Sequence, residues 1–283
     1  MSTTAGKLYV VATPIGNLSD ISPRAAEVLA SVELIAAEDK RHSIRLLNHL
    51  GIQTPLFAMH EHNERDVLTT LIGRLQQGAD IAVISDAGTP LISDPGYLLV
   101  RQAQEQGIMV HPIPGPCAAI AALSAGGLPT YHFLFHGFLP SKQAARLEQL
   151  KSLARHSETL VFYEAPHRLL KTLADMRDTF GEEREAVLAR ELTKQFETIH
   201  RARLGELHDW VANDPDQQRG EAVILVAGCA IQQDADTAAL TDILSVLLSE
   251  VPLKQAVDIA VKLTQLKKNL VYQTALQLQS DTT

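Results

Sequence analysis

The chain has 283 residues, of which 46% are hydrophobic and 20% are charged, and its formal net charge is −8. This length suits two domains, and the composition favours packed cores over extended disorder. The negative charge argues against a protein that coats nucleic acid nonspecifically, because such binding requires many cations facing phosphates. Any contact with nucleic acid therefore requires a local cluster of basic residues.

The composition also excludes several classes of protein. No apolar run reaches the roughly 18 residues that a membrane span requires, and the first residues lead into a strand pattern without the features of a signal peptide. The two cysteines, Cys117 and Cys229, lie far apart and form neither a disulfide framework nor a zinc-ligand set. We therefore expect a cytoplasmic protein that does not contact a membrane.

Short apolar runs alternate with helical patterns along residues 1–115. The predicted strands are 8–12, 32–37, 55–59, 81–85 and 109–113. The first predicted helix begins at Ser22, as N-cap, and Pro23, as first helical residue. Further helices are predicted over 43–50, 64–77 and 97–106, and Gly51 is the predicted C-terminal cap of the helix 43–50. This alternation predicts an N-terminal α/β domain with a mostly parallel sheet and covering helices.

A second α/β domain is predicted over residues 116–229. It follows a cluster of prolines and a small-residue helix that begins near Cys117. Its predicted strands are 159–163, 186–189, 196–201 and 222–227, with antiparallel character around 190–201. Residues 230–236 resemble a polar linker, and 237–283 are expected to form a helical C-terminal extension. The predicted fold class is α/β, with two α/β domains and a small helical segment.

The segment 85–96, SDAGTPLISDPG, is the most informative motif. It follows a buried strand and precedes a helix, where ligands bind in open α/β sheets. Gly88 lets a ligand approach the backbone closely, and Asp86 offers hydrogen bonds to polar groups. A turn rich in Asp, Gly and Pro without ligand-binding function is the simpler alternative. The sequence has neither a G-x-G-x-x-G motif after a strand nor a phosphate-binding P-loop motif.

This motif is very similar to the signature of the ribosomal RNA small subunit methyltransferase I family, in the tetrapyrrole methylase (class III) superfamily. Other segments resemble the same family in the same order: 12–22, 36–43, 60–64, 114–127, 162–168, 189–200 and 219–228. The resemblance runs from about Leu8 to Gly228 and continues through the C-terminal tail. One residue departs from the family pattern, because Lys40 stands where the family usually has Thr.

The resemblance implies a homodimer and a cleft between the two α/β domains that binds S-adenosylmethionine (SAM). It assigns cofactor binding to Pro14, Asp86, Ala87, Gly88, Thr89, Pro90, Pro116, Cys117, Ala118, Phe162, Tyr163, Glu221 and Ala222. The physical logic is that small residues admit adenine, while Asp86 suits the cationic ammonium and sulfonium groups. The implied reaction is methylation of a cytidine ribose 2′-hydroxyl in the decoding region of small-subunit ribosomal RNA.

A ribose hydroxyl is a poor nucleophile until it loses its proton, so a general base would assist the reaction. The candidate bases are Glu38, Asp39, Glu164 and Glu191, followed by His60 and His62. Lys194 is expected either to lower the hydroxyl pKa electrostatically or to hold a phosphate. The predicted catalytic residues are therefore Glu38, Glu164 and Lys194.

Contact with RNA is predicted for a small set of basic and polar residues. This set comprises Lys40, Arg41, Arg45, His60, His62, Asn63, Arg190 and Lys194. A second group of cations, Lys142, Arg146, Lys151 and Arg155, lies near helical spacing and equally fits a solvated helix face. His60 and His62 are expected to share one face of a strand. No Cys or third His lies at the spacing of a metal ligand, so no metal site is expected.

Two other functions remain open at this stage. The shared fold allows a methylase that acts on a small tetrapyrrole. A ribosome-assembly protein that binds RNA without catalysis is also possible, although the intact loop residues Asp86, Gly88 and Thr89 argue against it. The helical tail fits a helix-turn-helix that contacts RNA or a partner subunit and, equally, a plain helical cap.

Overall fold

Five parallel strands form the first sheet, in the order β3-β2-β4-β1-β5. The structure is a computed structural model and describes residues 5–60, 62–229, 233–264, 266 and 268–280. The strands are Leu8–Val11 (β1), Leu34–Ala37 (β2), Leu56–Ala58 (β3), Ile81–Ile84 (β4) and Val110–Ile113 (β5). The helices between them are Pro23–Ser31 (α1), Lys40–Leu50 (α2), Glu64–Gln76 (α3) and Tyr97–Glu105 (α4).

The first sheet is buried on both faces, which explains its almost wholly apolar strands. Ile81 and Val83 of β4 pack into one hydrophobic cluster, and Ala82 and Ile84 pack into the cluster on the opposite face. The predicted helix start is confirmed, because the Ser22 hydroxyl accepts a hydrogen bond from the Ala25 N–H at 3.1 Å. The predicted parallel sheet with covering helices is therefore confirmed.

The second sheet has the order β6-β7-β10-β8-β9 and mixes parallel and antiparallel pairs. Its strands are Phe133–Phe138 (β6), Thr159–Glu164 (β7), Glu185–Arg190 (β8), Thr198–Arg203 (β9) and Ala222–Val226 (β10). Its helices are Ala118–Gly126 (α5), Gln143–Leu153 (α6), Leu169–Phe180 (α7) and Leu204–Asn213 (α8). The expected antiparallel character is confirmed in the β8–β9 pair. Strand β6 was missing from the sequence prediction, which began this sheet at residue 159.

Helix α6 contains a buried ion pair. The Nε of Arg146 lies 2.6 Å from Oδ2 of Asp175 in α7, and both side chains are almost completely buried. The Arg146 guanidinium also donates to the carbonyl oxygens of Pro140 and Ser141. The interpretation of Arg146 as part of a solvated basic face is therefore wrong, because its charge is used inside the domain.

The C-terminal residues form a separate helical unit. The chain divides into two compact units, Met1–Ala227 and Gly228–Thr283. The second contains the helices Gln233–Glu250 (α9), Leu253–Thr264 (α10) and Lys268–Ser280 (α11), which pack around residues such as Leu244, Val257 and Val271. The predicted linker 230–236 is wrong from Gln233 onward, where α9 begins, and 230–232 lie outside the described residues.

Within the part of the chain that the structure describes, no helix has both the length and the apolar character needed to cross a membrane.

Replacing Arg146 with methionine should destabilise the first unit strongly. The substitution leaves the Asp175 carboxylate buried without its counter-charge, which costs about 3–5 kcal/mol. Lys151→Met is the matched control, because Lys151 is exposed on the same helix. Denaturant unfolding should show a large decrease in the free energy of unfolding for Arg146→Met and a change within about 0.5 kcal/mol for Lys151→Met. Equal stability of the two variants would contradict the structural role of this pair.

Candidate active site

The loop that follows β4 is fixed by backbone pairing with the turn that follows β1. The Thr13 N–H donates to the Gly88 carbonyl at 2.9 Å, and the Gly88 N–H donates to the Thr13 carbonyl at 3.0 Å. Gly88 has φ = +81°, and a Cβ added there would lie 3.3 Å from Cγ2 of Ile15. The left-handed backbone therefore favours glycine here, and a Cβ would also require the Ile15 methyl group to shift by a few tenths of an ångström.

Two further contacts bind this loop to the neighbouring strand ends. The Thr89 hydroxyl donates to the carbonyl of Pro116 at 3.0 Å, and Pro116 follows β5. The Asp39 N–H, beyond β2, donates to Oδ1 of Asp86 at 3.0 Å. The carboxyl ends of β1, β2, β4 and β5 thus meet in one hydrogen-bonded group of loops, as expected for a ligand site at a parallel sheet.

The second sheet supplies the opposite wall through β7, β8 and β10. The Tyr163 hydroxyl accepts a hydrogen bond from the Ala119 N–H at 3.2 Å, which ties β7 to the start of α5. Burial is the main cause that raises the pKa of Tyr163, and the neighbouring Cys117 adds to the shift. The phenol therefore stays neutral across the physiological pH range and offers a hydroxyl rather than a charge.

A loop after β8 joins this wall to the turn after β1. The Asn17 N–H donates to the Thr193 hydroxyl at 3.0 Å. The Lys194 ammonium lies 2.9 Å from Oε1 of Glu191 and 2.9 Å from Oε2 of Glu221. Glu191 and Thr193 both have positive φ, at 51° and 66°, so the loop has a strained backbone of the kind that occurs at functional sites.

The charges in this loop hold each other in their ionised forms. Burial alone would raise the pKa of Glu191, but hydrogen bonds from Lys194 and the Glu221 N–H outweigh burial and lower it. Burial likewise opposes the charge on Lys194, yet its two glutamate partners raise the pKa of the ammonium. Lys194 is therefore a fixed cation and does not serve as a base.

The loops and walls enclose a cleft of about 410 Å³. Its floor combines carboxylates with small and apolar residues. The predicted residues that line it are Glu38, Asp86, Ala87, Gly88, Thr89, Cys117, Ala118, Tyr163, Glu164, Glu221 and Ala222. The segments 86–89, 117–118, 163–164 and 221–222, which are distant in sequence, thus meet around one cavity.

Other predicted residues lie outside the lining. Among the described residues that do not line the cleft are Pro14, Pro90, Pro116, Phe162 and Lys194. Phe162 points into the opposite core, where its ring stacks on His136 with centroids 5.4 Å apart. Residues adjacent on a strand face opposite ways, so the 162–163 segment brings only Tyr163 to the cleft.

Glu164 and Arg190 are engaged within the protein. The Glu164 carboxylate accepts a hydrogen bond from the Thr172 hydroxyl at 2.5 Å and pairs with Arg168 at 3.1 Å, and its side chain is fully buried. Arg190 is 6% exposed, and its guanidinium donates to Gln217, Thr198 and the carbonyl of Arg219. Both side chains stabilise the second sheet and its connections.

The predicted RNA-contacting residues of α2 and of the turn after β3 fall at the carboxyl end of the first sheet. Lys40, Arg41 and Arg45 are exposed on α2, and Arg41 pairs with Asp39 at 3.0 Å. The strand placement of His60 and His62 is wrong, because β3 ends at Ala58 and the two histidines follow it in a turn.

This turn is organised by a polar side chain. Oδ1 of Asn63 accepts from the His60 N–H at 2.8 Å, and its Nδ2 donates to the carbonyl of Ala58. The His60 and His62 rings lie 6.1 Å apart. Over the described part of the chain, no three His, Cys, Asp or Glu side chains are arranged to hold a metal ion.

Several residues that line the cleft are not among those that the sequence motifs predicted. The most consequential are Ile15, Asp94 and Phe138. Asp94 belongs to the motif 85–96, and its position before Pro95 and Gly96 was the available signal. Phe138 had no signal, because it lies on β6, the strand that the sequence analysis did not predict.

Comparisons with known proteins agree along the whole chain. Residues 7–208 match the family model described as Tetrapyrrole (Corrin/Porphyrin) Methylases, and residues 234–279 match the RsmI C-terminal HTH domain. A Pseudomonas aeruginosa protein named ribosomal RNA small subunit methyltransferase I is 61% identical, covering 98% of this chain and 99% of that protein. An Escherichia coli O157:H7 protein of the same name is 52% identical, with 97% and 96% covered.

A solved structure, the uroporphyrin-III-C-methyltransferase from Thermus thermophilus, shares the fold. It is 20% identical with a TM-score of 0.54, covering 82% of this chain and 98% of that one.

Replacing Asp94 with asparagine should stabilise the protein at neutral and alkaline pH. Burial raises the pKa of Asp94, the Asp86 charge raises it further, and a hydrogen bond with Ser85 partly offsets both. The folded state therefore binds the proton more tightly than the unfolded state, so this carboxyl favours folding at low pH and loses that contribution as the pH rises through its folded pKa.

The measurement is the thermal unfolding midpoint from pH 8 down to acidic pH. Asp94→Asn should have the higher midpoint at pH 8, and the difference should shrink as the pH falls. Glu27→Gln, at an exposed position of α1, is the control for loss of one negative charge. A midpoint difference that is independent of pH would contradict the effect assigned to Asp94.

Proposed function

The chain belongs to the tetrapyrrole methylase family and, within it, to the ribosomal RNA small subunit methyltransferase I family, and we propose that it methylates small-subunit ribosomal RNA with SAM. The proposed target is the 2′-hydroxyl of a cytidine in the decoding region, as the sequence resemblance implies. The observation that carries the proposal is that Asp86, Gly88, Tyr163 and Glu221 line one cleft. We further propose that the protein acts in the cytoplasm as a homodimer.

The cleft has the size and chemistry for SAM. Its volume of about 410 Å³ lies in the usual range of roughly 300–1,000 Å³ for small-molecule sites. Asp86 and Glu221 offer negative charge to the ammonium and sulfonium groups. Ile15, Leu192 and Val223 form apolar surface suited to adenine, and the small side chains of the lining leave room for it. Bound SAM would supply an activated methyl group.

The residues of this chain contribute mainly by positioning. The backbone pairing of Thr13 with Gly88 holds the loop that carries Asp86. Lys194 acts on the cleft through Glu221, since its ammonium pairs with that carboxylate at 2.9 Å. Glu164 holds the segment after β7 through Arg168 and Thr172.

The proton of the ribose hydroxyl requires an acceptor. Glu38 and Asp94 are the proposed candidates, because both line the cleft, Glu38 directly after β2 and Asp94 in the loop between β4 and α4. The raised pKa of Asp94 makes it a stronger base than an ordinary aspartate. The pH dependence of turnover in Glu38→Gln and Asp94→Asn identifies which of the two groups accepts the proton.

The acidic cleft suits a cationic cofactor and repels phosphate, so the RNA backbone is proposed to contact residues outside it. Lys40, Arg41 and Arg45 are exposed on α2, directly after the strand end that carries Glu38. The turn with His60, His62 and Asn63 lies beside this end of β2, since the Met59 N–H donates to the carbonyl of Ala37.

The proposal is tested by incubating the protein with labelled SAM and small ribosomal subunits from a strain that lacks the gene. Free ribosomal RNA is assayed in parallel, and the methyl group is mapped by nuclease digestion and mass spectrometry. One 2′-O-methylcytidine in the decoding region is the expected result. Binding of SAM without incorporation into either RNA would overturn the RNA assignment and favour a small tetrapyrrole substrate.

The Asp86→Asn variant tests the charge in the cleft. Asparagine retains an oxygen that can accept from the Asp39 N–H but removes the negative charge. Hydrogen bonds to charged groups contribute about 1.5–3 kcal/mol, so SAM should bind about 10- to 150-fold more weakly. Calorimetry measures the affinity, and an unchanged affinity would contradict the role of Asp86.

The Gly88→Ala variant tests the loop backbone against a matched control. Gly107 also has positive φ, at 71°, and a Cβ added there meets no described atom within 4 Å. Both substitutions should lower the free energy of unfolding by about 1–2 kcal/mol, because alanine is strained in a left-handed backbone conformation. Only Gly88→Ala should also lose SAM-induced thermal stabilisation, and equal stabilisation of both variants would exclude a role for the Gly88 contact.

A further inference from the structure

An extra residue in strand β6 determines which side chain faces the cleft. Phe135 pairs with Val161, Gly137 pairs with Phe162 and Phe138 pairs with Tyr163, so His136 is the additional residue of a β-bulge. Residues three apart on a regular strand face opposite sides of the sheet. The bulge instead brings Phe135 and Phe138 to the same side, and bulges commonly redirect side chains near active sites.

The redirected ring joins a small aromatic cluster. The centroid of Tyr163 lies 5.0 Å from that of Phe135 and 5.7 Å from that of Phe138, both in edge-to-face geometry. The Tyr163 hydroxyl is in turn anchored by the Ala119 N–H. Phe138 lines the cleft yet is 54% exposed, so a supported aromatic ring stands at the cleft mouth, partly open to solvent.

The backbone beside Phe138 contacts the first-sheet loop. Gly137 has φ = +61°, and a Cβ added there would lie 2.7 Å from Oγ of Ser93. Ser93 itself has φ = +70° and precedes Asp94. Phe138 is therefore held next to the loop that carries Asp86 and Asp94, at the place where a substrate would enter.

We propose that Phe138 stacks against the base of the target nucleotide and so holds its ribose over the cleft. This inference rests on the proposed function and adds a positioning residue to it. Bases in single-stranded or looped RNA are commonly held by stacking on aromatic side chains, whereas phosphate contacts require cations. The acidic lining of the cleft excludes phosphate from the position beside Phe138 and admits a neutral base.

The test compares Phe138→Ala, Phe138→Leu and Phe138→Trp on small subunits with saturating SAM. Stacking contributes about 1–3 kcal/mol per base, so kcat/KM for the subunit should fall about 5- to 150-fold in the alanine variant. Tryptophan should restore activity, whereas leucine, which is apolar but has no ring, should not. Phe133→Ala is the matched control, since Phe133 lies on the same strand, is 40% exposed and is not part of the cleft lining.

A second measurement isolates the contact with the base. Subunits reconstituted with an abasic ribose at the target position remove the stacking partner without removing the hydroxyl. On the abasic substrate, kcat/KM of the wild type should fall by the same factor as kcat/KM of Phe138→Ala falls on the normal substrate. The variant on the abasic substrate should show no larger loss of kcat/KM than either change alone.

The outcomes separate this inference from the proposed function. Additive losses, or a Phe138→Ala variant as active as Phe133→Ala, would overturn the stacking role. A loss of SAM affinity in Phe138→Ala as large as its loss of kcat/KM for the subunit would also overturn the stacking role, because the ring would then contact the cofactor. Absence of RNA methylation by the wild-type protein would refute the proposed function itself.

Discussion

Two backbone hydrogen bonds between Thr13 and Gly88 are the constraint on which the candidate site depends. They join the turn after β1 to the loop after β4, and these strands are neighbours in the first sheet. The same turn contacts Thr193 of the second wall, while the same loop reaches Pro116 through Thr89. A conformation accessible mainly to glycine at residue 88 thus aligns segments from distant parts of the sequence.

The distribution of charge separates the parts of the proposed reaction. Glu38, Asp86, Asp94 and Glu221 surround a small cavity, and the whole chain carries a net charge of −8. Such a cavity attracts a cationic cofactor and disfavours the polyanionic backbone of RNA. The exposed cations of α2 lie outside the cavity, so the proposed cofactor site and the proposed phosphate-contacting surface differ in the sign of their charge.

The sequence predicted the first sheet well because its strands are short apolar runs separated by amphipathic helices and turn residues. It failed at β6, whose run FLFHGF is interrupted by a bulge that only pairing with β7 reveals. It identified the segment 162–163 but not which residue faces the cleft, since every position of β7 is buried or partly buried. Arg146 and Arg190 resembled surface cations because burial of charge depends on partners distant in sequence, such as Asp175.

The bracing of the cleft has a kinetic consequence. Its two walls contact each other on one side through Asn17 and Thr193 and on another through Ser93 and Gly137. Opening by a hinge between the sheets would break both contacts, whereas exchange through the mouth beside Phe138 requires no such opening. If RNA stacks on Phe138 as proposed, it covers this mouth, and the geometry then favours compulsory order: cofactor enters before RNA, and spent cofactor leaves only after RNA has departed.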